Sequence, residues 1–243
     1  MRMGERLDYI TEELLIIQSE DVFSFSIDAV LLARFCYVPK TKGRIVDLCS
    51  GNGVIPFVLT QRSSVPIIGV ELQKRLCDMA ERSAVINQTA PQVSFLEKDV
   101  RELHLEDIGG AADLVTCNPP YFATPGRNEE NNNPYLLKAR HERNGVLLDF
   151  VRTASQSVKE KGKVAMVLRP ERLLELMNAF RTFRIEPKRM KCVHPKSSKE
   201  ANMILLEGIK CGKKGMSILP PLVVYHENGS YTKEFRQYYD GEN

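Results

Sequence analysis

The sequence predicts an α/β fold with a doubly wound parallel sheet, and three observations support that prediction. Short runs of β-branched and aliphatic residues alternate with helical patterns along the middle of the chain, as in successive βαβ units. A glycine turn at residues 50–53 joins the first of these runs to a helical pattern. The 243 residues, 43% of them hydrophobic, are enough to bury a substantial core.

The first part of the chain predicts a cap on the α/β domain. Residues 14–26 have the pattern of a hairpin with its turn at 19–21, and residues 28–37 form an apolar helical pattern that ends before Pro39. Since no long linker follows, we predict an N-terminal cap over residues 1–40. One α/β domain would then occupy residues 41–243 and end in an edge hairpin.

The alternation begins after the cap and resumes beyond a loop. Before the loop it predicts strands at 44–49, 66–72, 93–97 and 113–117, with helices after Val54 and at 73–87. Residues 128–134 are rich in Asn and end in Pro, which favours a loop. After it we predict helices at 146–159 and 171–180, strands at 164–168, 190–193 and 203–206, and an edge strand at 220–225.

Composition and spacing exclude several classes of protein. No apolar run approaches the roughly 20 residues needed to span a bilayer, and the N-terminus lacks the apolar segment of a signal peptide. We therefore expect a cytoplasmic protein with no membrane partner. The six cysteines and four histidines show none of the spacings of metal ligands, so we expect reduced thiols and no metal. We also expect a monomer.

The segment around the glycine turn favours one class of ligand over another. Gly51 and Gly53 permit close approach of the backbone to a ligand, but the third glycine of a dinucleotide-binding turn is replaced by Pro56. Asp47, inside the preceding strand, would repel a pyrophosphate and attract an ammonium group. The turn therefore points to S-adenosylmethionine as the cofactor and makes a dehydrogenase the weaker alternative.

Acidic residues also end the next two predicted strands. Glu71 follows the second strand, where a carboxylate can accept both ribose hydroxyls, and Asp99 follows the third, where it can accept from the adenine amine. The alternative is that Asp47, Glu71 and Asp99 only cap strand ends. Three such acids together favour the cofactor site.

The fourth strand ends in Asn118, Pro119, Pro120 and Tyr121. The lone pair of an amide or aryl-amine nitrogen is delocalised, so methyl transfer to it requires two hydrogen-bond acceptors around one NH₂ group. The Asn118 side-chain carbonyl and the Pro119 backbone carbonyl can provide them, and the prolines fix the backbone. Tyr121 offers a flat ring for stacking a planar group. The alternative is a proline-rich turn with a packing tyrosine.

These motifs resemble those of the class I S-adenosylmethionine-dependent amino-methyltransferases with a Rossmann-like sheet. The resemblance covers residues 44–121, and two flanks, 25–32 and 138–142, narrow it to the bacterial tRNA(Val) adenine-N6-methyltransferases. It implies a seven-stranded sheet with an antiparallel last hairpin and a tRNA substrate methylated on an anticodon-loop adenosine. It also implies the cofactor and target-amine sites. The predicted cofactor-binding residues are Asp47, Cys49, Ser50, Gly51, Asn52, Gly53, Glu71, Leu72, Asp99, Val100 and Asn118.

The Asn-Pro-Pro-Tyr motif alone specifies only a planar NH₂ target. Methyltransferases of release-factor glutamine, rRNA guanine N2 and DNA adenine share it, and glutamine methylation remains the main enzymatic alternative. No stretch of the chain is left for a separate DNA-recognition domain. A non-catalytic cofactor-binding module is a further alternative, disfavoured because a binder has no use for paired amine acceptors.

A basic stretch is consistent with a nucleic-acid substrate. The segment from Arg184 to Lys214 contains nine basic and three acidic residues, although the net charge of the whole chain is only +3. Such a stretch is either a phosphate-binding surface or merely a solvated face. The residues predicted to contact substrate are Tyr121, Phe122, Arg140, Lys188, Arg189 and Lys191.

Overall fold

The computed structural model describes residues 1–2, 4–20, 22, 25–120 and 147–241. Its strands are β1 (Glu5–Thr11), β2 (Leu14–Ser19), β3 (Ile45–Leu48), β4 (Ile67–Glu71), β5 (Val93–Glu97), β6 (Ala112–Cys117), β7 (Val158–Leu168), β8 (Ile185–His194), β9 (Met203–Lys210), β10 (Ser217–Ile218) and β11 (Leu222–Val223). The helices are α1 (Ile27–Phe35), α2 (Val54–Thr60), α3 (Lys74–Ile86), α4 (Leu147–Ser157), α5 (Leu173–Thr182) and α6 (Lys233–Asp240).

The predicted α/β fold is confirmed. Nine strands form one mixed sheet in the order β10-β8-β9-β7-β6-β3-β4-β5, with β11 also paired to β8. Strands β5, β4, β3, β6 and β7 are mutually parallel, and β9 runs antiparallel between β7 and β8. Seven of these strands form the predicted sheet with its antiparallel hairpin. The two-residue strands β10 and β11 extend it at the β8 edge.

Helices cover both faces of the sheet, as alternating burial of strand residues requires. Ile45 of β3 belongs to the apolar cluster that includes α1 and α2, whereas Val46 and Leu48 belong to the cluster that includes α4 and α5. The periodicity therefore identified helices α1 to α5 and most strands. None of the helices in the described part of the chain is long and apolar enough to cross a bilayer.

The N-terminal hairpin is present, but its predicted turn is wrong. The turn lies at Glu12 and Glu13, between β1 and β2, and not at residues 19–21. β1 was missed because it is an edge strand whose side chains are mostly exposed, so it lacks the apolar run of a buried strand. Ser83 of α3 accepts from the backbone N–H of Ile17 at 3.0 Å and fixes the hairpin to the domain.

The other differences concern element ends. β7 begins at Val158, six residues before the predicted strand. Its first residues were missed because residues 159–161 are exposed and lack the apolar pattern of a buried strand. The helix that precedes it ends at Ser157, and Gly162 lies within the strand. α6 was not predicted at all, because Phe235 is its only buried residue. The domain boundary at residue 40 stays a prediction, although α1 shares a core cluster with the sheet.

Candidate active site at the carboxyl edge of the sheet

The predicted site residues lie at neighbouring strand ends. Leu48 of β3 is in register with Val70 of β4 and with Cys117 of β6, and Val70 is in register with Leu96 of β5. The residues that immediately follow these positions therefore lie along the carboxyl edge of the sheet. In open α/β sheets, ligands bind in the crevice outside this edge.

The turn between β3 and α2 has a strained backbone. Cys49, Gly51 and Gly53 have φ angles of 58°, 57° and 97°, in the left-handed region that glycine adopts readily. A Cβ on Gly53 would lie 2.8 Å from both Phe57 and Phe95, whereas one on Gly51 would meet no atom within 4 Å. Gly53 is thus required by packing, and Gly51 faces open space in which a ligand could lie.

Asp47 is fully buried directly below this turn. The Thr116 hydroxyl donates to Asp47 Oδ1 at 2.6 Å, while Oδ2 has no hydrogen-bond partner among the described residues. Burial raises the pKa of Asp47 well above its usual range; the Thr116 hydrogen bond opposes this, and the nearby Glu71 charge adds to it. A cationic group placed at Oδ2 would relieve both effects.

Glu71 ends β4 and organises the turn. Its Oε2 accepts from the Gly51 backbone N–H at 2.9 Å and its Oε1 from the Gln73 N–H at 2.9 Å. Each carboxylate oxygen has a second lone pair, so these bonds hold the group in place without using its full capacity for ribose hydroxyls. Leu72, next to it, is 43% exposed and provides an apolar surface at the same edge.

Asp99 has more partners than the sequence suggested. It accepts from the Arg101 backbone N–H at 2.9 Å and caps the 3₁₀ turn Val100–Glu102. The Arg101 guanidinium also pairs with it and lowers the pKa of its carboxyl group. Val100 is buried beside it. Both carboxylate oxygens accept from Arg101, so adenine recognition by Asp99 stays a prediction that requires Arg101 to give up part of these bonds.

Asn118 directly follows β6, and its carbonyl oxygen is buried. Oδ1 has no hydrogen-bond partner among the described residues, which is uncommon for a buried acceptor. Pro119 is buried and Pro120 is exposed. Tyr121, Phe122, Arg140 and the predicted loop lie outside the described residues.

Ser50, Asn52 and Cys49 have different surroundings in the turn. The buried Ser50 Oγ lacks a partner among the described residues, so it is available to a ligand. The Asn52 amide instead donates to the Ile17 carbonyl at 3.1 Å, which ties the turn to the hairpin and gives the side chain a structural role. The Cys49 thiol contacts Cys117, and this contact together with burial raises the pKa of Cys49. The thiol is therefore not a nucleophile.

The basic residues predicted to contact substrate are engaged within the fold. Lys188 donates to the Lys213 and Gly215 carbonyls at 3.0 and 2.7 Å. Arg189 pairs with the buried Glu207 at 3.0 Å, and Lys191 is buried and donates to the Pro220 carbonyl at 2.8 Å. These contacts stabilise the β8 edge, and the substrate-binding role of Lys188, Arg189 and Lys191 stays a prediction.

Sequence reasoning missed Thr116, which orients Asp47, and the grouping of four cations at the same edge as Asn118, two of which, Lys196 and Lys199, belong to the predicted basic stretch. Thr116 stands opposite Asp47 in the register of β3 and β6, a pairing that becomes visible only once the strand order is known. The cations are Arg169, Arg172, Lys196 and Lys199. Within the described ranges no cluster of three or more His, Cys, Asp or Glu residues could hold a metal ion.

Comparison with known families gives one match over most of the chain. The model of the methyltransferase small domain family matches residues 13–189. This range includes the glycine turn, the acidic strand ends and Asn118.

Comparison with curated proteins gives relatives of similar length. A protein of Aeromonas salmonicida named tRNA1(Val) (adenine(37)-N6)-methyltransferase is 22% identical over 240 residues, covering 97% of this chain and 96% of that protein. A protein of the same name from Pasteurella multocida is 32% identical over 149 residues, or 58% of each chain.

Solved structures share the fold. A predicted O-methyltransferase from Agrobacterium tumefaciens has a TM-score of 0.69 at 21% identity, over 88% of this chain and 96% of its own. Geranyl diphosphate C-methyltransferase from Streptomyces coelicolor, crystallised with S-adenosyl-L-homocysteine, has a TM-score of 0.56 at 12% identity, over 75% and 78% of the two chains. At these identities the likeness concerns the fold alone.

Proposed function

The chain belongs to the methyltransferase small domain family, and on that premise we propose that it transfers a methyl group from S-adenosylmethionine to the N6 amine of an adenosine in tRNA. The observation that carries this proposal is the buried Asn118 carbonyl oxygen at the end of β6, next to the glycine turn, which has no hydrogen-bond partner among the described residues. The names of the curated relatives support adenosine in tRNA as the target. A cytoplasmic location agrees with such a substrate.

The residues at the carboxyl edge fit the cofactor. Asp47 Oδ2 and Ser50 Oγ are buried acceptors that lack partners among the described residues, and open space adjoins Gly51. Asp47 and Ser50 would hold the amino-acid end of the cofactor, with Glu71 at its ribose and Asp99 at its adenine. When bound, the cofactor supplies a methyl group on a positively charged sulfur.

The acceptors at Asn118 would prepare the adenosine amine for transfer. Its two N–H groups donate to Asn118 Oδ1 and to the Pro119 backbone carbonyl, which draws the nitrogen lone pair out of conjugation and aims it at the methyl group. The cofactor would supply the methyl group as its S–C bond gives way to the new N–C bond, Asn118 and Pro119 would hold the amine in place, and the extra amine proton would pass to water. Asn118 acts only as an acceptor, since an amide is too weakly basic to take that proton.

The decisive experiment is transfer of labelled methyl from S-adenosylmethionine to unmodified total tRNA, followed by nucleoside analysis. The expected product is N6-methyladenosine in one tRNA species. Label in a protein glutamine or in another nucleoside would overturn the proposed target and leave the family assignment standing.

A further inference from the structure

A cavity of about 930 Å³ opens at the carboxyl edge of the sheet, beside the site already described. It is lined by residues that follow β7 and by the loop between β8 and β9, including Arg169, Arg172, Lys196 and Lys199. None of these residues belongs to the cofactor or target-amine site. The cavity therefore requires an explanation of its own.

The lining of this cavity carries a net positive charge. Four cations and two carboxylates, Glu171 and Glu200, line it, and the charge of a further carboxylate, Glu227, lies close to Lys196. Arg172 forms an ion pair with Glu175 at 2.8 Å, and one Arg169 N–H donates to the Asn202 carbonyl at 2.9 Å. Of the two lysines, Lys199 is exposed and Lys196 is half-buried. Such a surface attracts polyanions and repels other cations.

The loop that carries the lysines is held in place by several hydrogen bonds. His194 Nδ1 bonds with the Lys199 backbone carbonyl at 2.8 Å, and the Ser198 hydroxyl donates to Glu227 at 2.8 Å. The Lys196 ammonium donates to the Glu227 backbone carbonyl at 2.9 Å. Because its backbone is fixed, this loop presents Lys199 toward the cavity at little cost in conformational entropy on binding.

The cavity lies close to Asn118. Cys117 of β6 is in register with Met166 of β7, so Asn118, which follows β6, and Arg169, which follows β7, lie at the same edge of the sheet. Strands are about 4.8 Å apart, so the cavity begins about one strand spacing from β6 and reaches β8 about 15 Å away. A polymer whose reactive unit lies at Asn118 would extend naturally across it.

We infer that this cavity binds the phosphate backbone of RNA next to the nucleotide held at Asn118. The inference rests on the proposed function, because it needs an RNA substrate. Tyr225 lines the same cavity, and an aromatic ring among cations suits a strand that presents both bases and phosphates. The β8 cations Lys188, Arg189 and Lys191 do not line this cavity.

The test compares two double variants of the full-length protein. Lys196→Ala/Lys199→Ala removes two cations from the cavity. Lys213→Ala/Lys214→Ala removes two exposed lysines at the opposite edge of the sheet, after the end of β9, and is the matched control. The measurements are tRNA affinity at several salt concentrations, the tRNA KM and kcat, and S-adenosylmethionine affinity.

The cavity variant should weaken tRNA binding on the order of tenfold and reduce the slope of log affinity against log salt by about 1.5 to 2. Its KM for tRNA should rise in parallel, while kcat and cofactor affinity stay within about twofold. The control should behave as wild type. The single variant Lys199→Ala should show about half the change in slope. The Lys199 ammonium makes no hydrogen bond to the described residues, so this variant tests the charge without disturbing the loop.

Unchanged tRNA affinity and salt slope in the cavity variants, or an equal loss in the control, would overturn the inference. Failure of the proposed function looks different. In that case wild-type protein transfers no methyl group to tRNA, whether or not binding depends on Lys196 and Lys199.

Discussion

Asn118 is the residue whose surroundings are hardest to explain without a ligand. A buried carbonyl oxygen without a partner costs about 1–3 kcal/mol, and the Asn118 oxygen, which has none in the described part of the chain, lies where the strand order brings β6 beside the glycine turn. We expect Asn118→Ala to lower kcat by at least about 100-fold while cofactor affinity changes by less than a few-fold. Steady-state methyl transfer and titration calorimetry measure the two effects.

Asn178→Ala is the matched control, because Asn178 is exposed on α5, away from the carboxyl edge. It should leave both kcat and cofactor affinity unchanged. An Asn118→Ala enzyme with wild-type kcat would show that the paired acceptors are not needed.

Asp47 links cofactor binding to stability. Its pKa is raised above the ordinary value of 3.8, so the folded protein keeps a proton that the unfolded chain has already lost. The contribution of this group to stability therefore falls as pH rises from 3.8 to the raised pKa. Asp47→Asn keeps the shape and the bond from Thr116, and removes the ionisable group.

We expect Asp47→Asn to be more stable than wild type by about 1–3 kcal/mol at about pH 8, with the difference shrinking toward about pH 4. Its affinity for S-adenosylmethionine should fall at least about tenfold, since the attraction for an ammonium group is lost. Urea denaturation across pH and titration calorimetry measure these changes. Equal or lower stability at the higher pH would contradict the interpretation of this buried carboxyl.

Site residues were predictable where one local pattern contained them. Asp47 lies within an apolar strand, Glu71 ends one and Asn118 follows one, and parallel topology then brings them together. The partners of Asp47 and Arg189 could not be predicted in the same way. Thr116 and Glu207 are 69 and 18 residues away in the chain, and only the strand register brings these pairs into contact.

At the scale of elements, the two glycines of the β3–α2 turn serve different purposes. Both have positive φ, but only Gly53 is packed against side chains. We expect Gly53→Ala to destabilise the protein by about 1–3 kcal/mol or more, because the new Cβ would clash with Phe57 and Phe95.

Gly51→Ala should cost only the backbone strain of about 1–2 kcal/mol, because its Cβ would enter open space. When the affinity of the folded protein for S-adenosylmethionine is compared, Gly51→Ala should lower it more than Gly53→Ala does. Thermal denaturation and cofactor titration of the two variants measure the contrast. Wild-type cofactor affinity in Gly51→Ala would show that the open space is not the binding site.

Elements with an apolar face were predicted and elements without one were not. α3 and β6 follow their periodicity closely, because each buries a regular set of side chains. β1 and α6 bury few side chains, so their sequences carry little signal. Their positions depend instead on contacts with β2 and α1, which no local window of the sequence contains.

At the scale of the whole molecule, α6 joins the end of the chain to its beginning. Arg34 of α1 donates to the Tyr239 and Asp240 carbonyls at 3.0 and 2.9 Å. Thr232 caps α6 by accepting from the Phe235 N–H at 3.0 Å. The Phe235 ring is 3% exposed and belongs to the core cluster that contains α1, α2 and β11.

This packing predicts a stability effect far from the active site. Phe235→Ala should lower the free energy of unfolding by about 3–5 kcal/mol, since it leaves a cavity between α6 and the sheet. Leu174→Ala, at a position 72% exposed on α5, should change it by less than about 0.5 kcal/mol. Urea denaturation measures both values, and an equal loss in the two variants would contradict the docking of α6.

The same variant separates folding from binding. β11 pairs with β8. Directly after it, the Val224 N–H donates to the His194 carbonyl and the Tyr225 N–H to the Pro195 carbonyl, each at 2.9 Å. Loosening α6 should therefore disturb the β8–β9 loop, which lines the basic cavity. The β3–α2 turn, which lies farther from α6, should be affected less. We expect folded Phe235→Ala to keep its cofactor affinity and to lose tRNA affinity. Parallel loss of both would mean that the two sites share one cooperative unit.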